Sequence, residues 1–211
     1  MPPFAVLHVC MGNICRSPMA ERLLMLAAQL RLAKVDATAE VSDLLASASA
    51  GTGGWHEGEE MNPPAARQIL LRGGSVDGFA ARKLVTAHLL DADLILTATA
   101  DQLDYVHALR PDAVGRTFVL GHLGRLLTAI DVAALPNAAV EPEAFFARAV
   151  AVVEAADRAR GGSAAVHDDD LDDPWGRGEQ TFARVADEID EVLYGLVDVL
   201  LPVGLKSPPP A

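Results

Sequence analysis

The sequence predicts a single α/β domain: a four-stranded parallel sheet with helices on both faces, and an extra helical insertion ahead of a late acidic loop. Three observations carry this. Four short apolar runs alternate with stretches of helical period, the pattern of parallel strands joined by crossover helices. The first run passes straight into a glycine-asparagine loop and then a serine-proline pair, so strand, loop and helix follow as one unit. The 211 residues, 51% hydrophobic and 22% charged, give the length and composition of one well-buried core.

Phe4–Val9 is the first strand and Cys10–Ser17 the loop after it. The next helix places Met19, Leu23, Leu26, Ala27 and Leu30 on one face. Ser17 is suited to cap it, and Pro18 to its first position, where the missing N–H is an orphan anyway. The second strand, Leu45–Ala50, ends in Gly51-Thr-Gly-Gly54, and a helix from about Pro63 to Leu71 stops at Gly73-Gly74. Asp93–Thr97 and Thr117–Leu120 are the remaining strands, around a helix near Asp101–Leu109 for which Asp101 is a candidate cap. An insertion over about residues 128–170 contains a helix begun by Pro142, with Phe145, Ala149, Val152, Val153 and Ala156 inward and Gly161-Gly162 at its end. The last helix, Glu179–Leu200, turns Phe182, Val185, Ile189, Val192, Leu193 and Leu196 to the core. The domain is expected to span 1–200, with residues 201–211 a disordered tail rich in proline.

A net charge of −12 argues against nucleic acid or an anionic membrane as partner, and requires any anion site to be built locally against the overall field. The apolar start is too short and lacks the cationic flank of a signal peptide, and no stretch reaches the length of a membrane span. Two cysteines form no disulfide framework, so a cytoplasmic protein is expected, and a monomer.

Cys10 and Arg16 bracket five residues between a strand and a helix. Such a segment can curl so that its backbone N–H groups converge, with the helix start adding its own N–H groups and positive dipole end. A phosphate dianion fits that nest. Gly12 and Asn13 suit the positive φ angles of a curl, and the fork of Arg16 can hold two phosphate oxygens. The same field favours a thiolate on Cys10, which can attack phosphorus in line and form a phosphocysteine. Ser17 can donate to that sulfur or cap the helix; the sequence leaves the choice open. A leaving phenolate also needs a proton. The loop carries no acid, and Asp172-Asp-Pro-Trp-Gly176, ahead of the last helix, is the candidate source, with Trp175 placed to flank an aromatic substrate.

Val6-Leu-His-Val-Cys-Met-Gly-Asn-Ile-Cys-Arg-Ser-Pro-Met-Ala-Glu21 resembles the opening of the low-molecular-weight protein tyrosine phosphatases. Ser49-Ala-Gly-Thr-Gly-Gly-Trp-His-Glu-Gly58, Leu94-Ile-Leu and Asp172-Asp-Pro-Trp-Gly176 are similar to that family's later motifs, and the resemblance covers about 4–127 and 171–200. It implies Cys10 as nucleophile, Arg16 as phosphate ligand and Asp173 as general acid and base. It also implies Met11, Gly12, Asn13, Ile14 and Cys15 as the rest of the phosphate loop. Asn13, Ser17 and Ser49 match residues that brace it, and Met11, Trp55 and Trp175 match positions lining the substrate cleft. Cys15 matches a cysteine that can pair with Cys10 and shield it from oxidation. The family fold is a four-stranded parallel sheet with helices on both faces. Three departures stand out. Phe79 occupies the place of a bracing histidine. Trp175-Gly176 replaces a tyrosine pair of some members. The stretch between Leu127 and Asp173 is longer than in the family.

The implied activity is hydrolysis of phosphotyrosine-type monoesters, on a protein or a small aryl phosphate, with no cofactor and no metal. Zinc would need more ligands than Cys10 and Cys15, and the six histidines are scattered. His8, His88, His107 and His122 are expected to be structural, and His167–Asp173 a solvated acidic loop apart from Asp173. Arsenate reduction shares the loop but needs thiols beyond Cys15. A protein arginine phosphatase tends to have threonine where Ile14 stands. A phosphoprotein-binding module without activity is the non-enzymatic alternative.

Overall fold

The computed structural model describes residues 1–35, 39–161 and 165–202. Strand β1 (Phe4–Cys10) leads through the loop into α1 (Arg16–Val35); a short α2 (Val41–Leu44) precedes β2 (Leu45–Gly51), and α3 (Pro63–Leu71) and α4 (Thr86–Leu90) precede β3 (Leu94–Thr97). After α5 (Ala100–Leu109) come β4 (Thr117–Val119), α6 (Leu120–Leu127), α7 (Pro142–Arg160) and α8 (Glu179–Leu200). The sheet has four strands in the order β2-β1-β3-β4, all parallel.

Alternation along the strands sends side chains to two cores. Phe4, Val6, Leu94, Leu96 and Phe118 join the larger one, which α1, α6, α7 and α8 complete; Leu7, Val9 and Ile95 join the smaller one with Leu89 of α4 and Val106 of α5. Cys10 lies at the carboxyl end of β1, a central strand paired with β2 on one side and β3 on the other. There the crossovers diverge to opposite sides and leave a crevice, the usual ligand position in open parallel sheets.

The expected strands and long helices are present with bounds shifted by a residue or so. Three short helices, α2, α4 and α6, were not foreseen: a few turns give too little period to read. Asp101 is not a cap. Thr99 holds that position in α5, and the first free N–H, that of Ala100, donates to Asp170 Oδ1 (2.8 Å). On α1, Leu30 is exposed while Leu24, Ala28 and Leu32 are buried, because this helix packs on both the sheet and α8. Helix α7, in the stretch expected to be an insertion, is integral to the fold, with Phe145, Ala149, Val152, Val153 and Ala156 buried in the larger core. Its end is Gly161 in the left-handed region (φ 46°), which glycine alone adopts freely. The tail expected at 201–211 lies, from residue 203 on, outside the described residues. No helix among the described residues is long and apolar enough to cross a membrane.

His8 and His122 are buried, as structural histidines are; burial pushes His8 down to about 3, so it is neutral at physiological pH, with its Nε2 3.1 Å from Ser47 Oγ.

Candidate active site

The loop from Cys10 to Arg16 is wrapped by neighbours that take its carbonyls. Thr52 N–H donates to Cys10 O (2.9 Å), Gly53 N–H to Met11 O (2.9 Å), Asn62 N–H to Ile14 O (2.9 Å) and Met19 N–H to Cys15 O (3.1 Å). Carbonyls bonded outward leave the loop's N–H groups to face its centre, the arrangement that binds anions. Asn13 takes φ 55°, the one positive value at a non-glycine position among the described residues, and its N–H reaches Cys10 Sγ (3.3 Å). Gly12, expected to share the positive φ, does not. Its missing side chain matters for space: a Cβ there would lie 3.2 Å from His56 Cδ2.

Ser17 resolves the choice the sequence left open. Helix α1 begins two residues earlier than expected, at Arg16, so Ser17 sits in the first turn rather than at the cap, with Oγ 3.0 Å from Cys10 Sγ. Ser17 Oγ accepts from Asn13 Nδ2 (2.9 Å), and Ala50 O, at 3.5 Å, is a distant acceptor, so the hydroxyl proton is best directed at the sulfur. Asn13 Nδ2 also donates to Ser49 Oγ (2.8 Å), and Ser49 donates to Glu21 Oε2 (2.6 Å). Asn13 Oδ1 accepts from the Arg82 N–H (2.9 Å), and Arg82 Nε donates to Ser49 O (2.8 Å). Every polar atom of the Asn13 side chain is thus engaged, and the loop is braced without residue 79. Phe79 instead packs against the larger core, with the Arg22 guanidinium 6.0 Å from its ring centre. Glu21 and Arg82 escaped the sequence reading; both lie beside residues it singled out, but nothing in their spacing marks them.

Arg16 is buried. Its Nη1 donates to Leu171 O (3.2 Å), its Nη2 lies 3.3 Å from Asp173 Oδ2, and its Nε has no partner among the described residues. That buried donor beside the loop fits an oxyanion. Asp173 is half exposed and faces the same cavity, whereas Asp172 points away to Arg184 on α8. Its hydrogen bond with Arg184 holds the Asp172 carboxyl below the usual carboxylate range.

The acidic stretch is not the solvated loop expected. Asp169 is buried and accepts two bonds from Arg125 on α6 (2.7 Å each), Asp170 caps α5, and Leu171 N–H donates to Ala98 O (2.8 Å). Each carboxylate from 169 to 173 faces a different neighbour, and among the described residues no three His, Cys, Asp or Glu side chains converge as metal ligands.

A cavity of about 190 Å³ opens over the loop, lined by Cys10, Met11, Gly12, Ile14, Cys15, Arg16, Trp55, Asp173 and Trp175 together with His56. Asn13, Ser17 and Ser49 lie behind it, buried. Trp55 and Trp175 are largely exposed at its rim. The Trp55 ring lies against Gly53, where any Cβ would overlap it. His56, absent from the expected site, is held by a 2.8 Å bond between Nδ1 and Glu59 Oε2. Burial, then the charges of Cys10 and Asp173, push the Cys15 thiol up to about 12 against the pull of Arg16. An anion nest with a thiol at its floor, an arginine fork and a carboxylate at its wall can bind a phosphoryl group and exchange a proton with its ester oxygen.

The sequence model of the low molecular weight phosphotyrosine protein phosphatase family matches residues 5–159, so Asp173 lies beyond the matched stretch. The chain is 37% identical over 108 residues to a low molecular weight protein-tyrosine-phosphatase of Streptomyces coelicolor, covering 51% of this chain and 60% of that one. It is 41% identical over 110 residues to the Bacillus subtilis phosphatase YfkJ, covering 50% and 62%. Low molecular weight protein-tyrosine phosphatase A of Mycobacterium tuberculosis is 42% identical over 106 residues, covering 50% and 56%. These matches thus span about 60% of the relatives' own length. Among solved structures, the tyrosine phosphatase amsI of Erwinia amylovora superposes with TM-score 0.60 at 22% identity, over 92% of this chain and 91% of that one. The YwlE arginine phosphatase of Geobacillus stearothermophilus does so with TM-score 0.59 at 21% identity, over 93% and 92%. At such identities the likeness is one of fold.

Proposed function

The chain belongs to the low molecular weight phosphotyrosine protein phosphatase family, and from that premise we propose that it hydrolyses phosphotyrosine-type monoesters with Cys10 as nucleophile. The observation that carries the proposal is the converged loop: donors from Asn13 and Ser17 on the Cys10 sulfur, carbonyls bonded outward, and the Arg16 fork at its edge. Cys10 thiolate attacks phosphorus as Asp173 gives its proton to the departing oxygen, leaving phosphocysteine, a free hydroxyl and the Asp173 carboxylate. Asp173 then takes a proton from water as that water attacks phosphorus, and the Cys10–phosphorus bond breaks to return the thiolate, steadied by the Ser17 hydroxyl. Arg16 holds two phosphoryl oxygens throughout.

Met11, Ile14, Trp55 and Trp175 give the cavity apolar walls suited to an aryl ring. Ile14 at the wall disfavours the charged guanidinium of phosphoarginine, and arsenate reduction lacks thiols beyond Cys15. Cys15 is the thiol with which a sulfenic acid on Cys10 would condense, releasing water and forming a disulfide that reduction reverses. On this reading the protein acts as a cytoplasmic monomer on a phosphotyrosine protein or a small aryl phosphate, as one domain over 1–200.

Steady-state rates on phosphotyrosine, phosphoserine and phosphoarginine peptides, with arsenate reduction alongside, test it. Phosphotyrosine is expected to lead, and Cys10→Ser to fall to background; undiminished turnover by Cys10→Ser overturns the reading.

A further inference from the structure

A second cavity, of about 240 Å³, opens where Glu60 and Met61 meet the stretch from Val76 to Phe79. Its floor is apolar, made by Met61, Val76 and Phe79, and its lining includes two carboxylates, Glu60 and Asp77, with no cation among the described residues. Both acidic residues are exposed, whereas Met61 is buried. The volume falls short of the roughly 300 Å³ at which sites for drug-sized ligands begin, and suits one side chain. An apolar stem with a cationic head matches this wall: methylenes against Met61 and Val76, the charge at Glu60 and Asp77. Phe79 adds an aromatic ring to the lining.

This cavity is tied to the phosphate loop. Asn62 N–H donates to Ile14 O (2.9 Å), so Met61 is one residue from a bond to the loop. Gly58 N–H donates to Ala81 O (2.7 Å) and Ala81 N–H to Glu59 O (2.8 Å), which fixes the segment between the two cavities. His56 lines the first and Glu60 the second, so their Cα atoms, four steps apart along the chain, are at most ~14 Å from one another. An extended peptide covers about 3.4 Å per residue, so its side chains three to five positions from a bound phosphotyrosine come within reach. The intervening edge carries Glu57 and Glu59, both exposed, and repels an acidic peptide.

We propose that the cavity at Glu60, Asp77 and Phe79 is a specificity pocket for a lysine or arginine side chain of the substrate, three to five residues from the phosphotyrosine. The proposal rests on the phosphatase reading above. It makes the enzyme a reader of basic phosphotyrosine sequences.

The test compares phosphotyrosine peptides with a single lysine moved from position to position against an all-alanine peptide. Wild-type enzyme should show a KM about tenfold lower, the size of one charge-assisted hydrogen bond, for lysine at one of those positions, with kcat unchanged. Glu60→Gln/Asp77→Asn should remove that advantage and leave hydrolysis of p-nitrophenyl phosphate unaltered. Equal KM values for lysine and alanine peptides overturn the pocket, as does a lysine advantage that survives the double substitution. Calorimetric titration of the same peptides into Cys10→Ser separates the two readings. Tighter binding of the lysine peptide without turnover by the wild type keeps the pocket and sinks the hydrolase; equal affinities sink the pocket.

Discussion

Asp172 and Asp173 are adjacent and chemically identical, and only their neighbours divide their work. Asp172 is turned to Arg184 on α8 and does not line the cavity, whereas Asp173 lines it, 3.3 Å from Arg16. Asp173→Asn should therefore slow substrates with poor leaving groups by about 10²-fold and good ones far less, while Asp172→Asn leaves the dependence on leaving-group pKa intact. Rates across a series of aryl phosphates check this, and equal slowing of all substrates by Asp173→Asn removes it as the acid. The motif pointed to Asp173, but what sets Asp172 aside is Arg184, twelve residues after Asp172, which no local pattern connects to the loop. Ser17 is a similar case. Its place in the sequence fits a cap and a sulfur partner equally, and a two-residue shift in where α1 begins decides for the sulfur.

At the scale of elements, the junction of β2 with the phosphate loop leaves no room for a side chain. Gly51 pairs with Cys10 across the sheet, and a Cβ there would stand 2.7 Å from Met11 O and 3.1 Å from Asn13 N, both backbone atoms. Gly51→Ala must displace the loop, and a shift of about 1 Å in a reacting group costs on the order of 10²-fold in rate. The expected result is a drop in kcat/KM of that order with circular dichroism unchanged; wild-type activity would mean the loop yields freely. The glycines after β2 were legible as a strand end, but the close approach of another backbone was not. The strands, α3, α7 and α8 were legible because burial on a fixed period writes itself into the residue order. The bracing by Glu21 and Arg82 was not, since it joins α1, β2 and the stretch before α4 through single contacts.

The whole molecule converges on the stretch from Asp169 to Asp173, which is held by α6, α5, the residue after β3, α1 and α8 in turn. Burial works to raise the Asp169 carboxyl, but the bonds from Arg125 and the Val166 N–H outweigh it and hold it below the ordinary value. A carboxyl depressed in the folded state stabilises the fold above its unfolded pKa, near 3.9, and that stability is lost as pH falls through the folded value. Arg125→Met should destabilise the fold at pH 7, by less than breaking a fully buried pair because Arg125 is half exposed, and the gap should close in acid. Urea unfolding of both proteins at several pH values reads it; a gap independent of pH would assign the loss to packing. The bond from Arg16 to the Leu171 carbonyl spans 155 residues, and it has a consequence in time as well as space. Cys10 and Arg16 are synthesised well before Leu171 and Asp173, so the arginine fork waits on the later segment for the carbonyl that orients it.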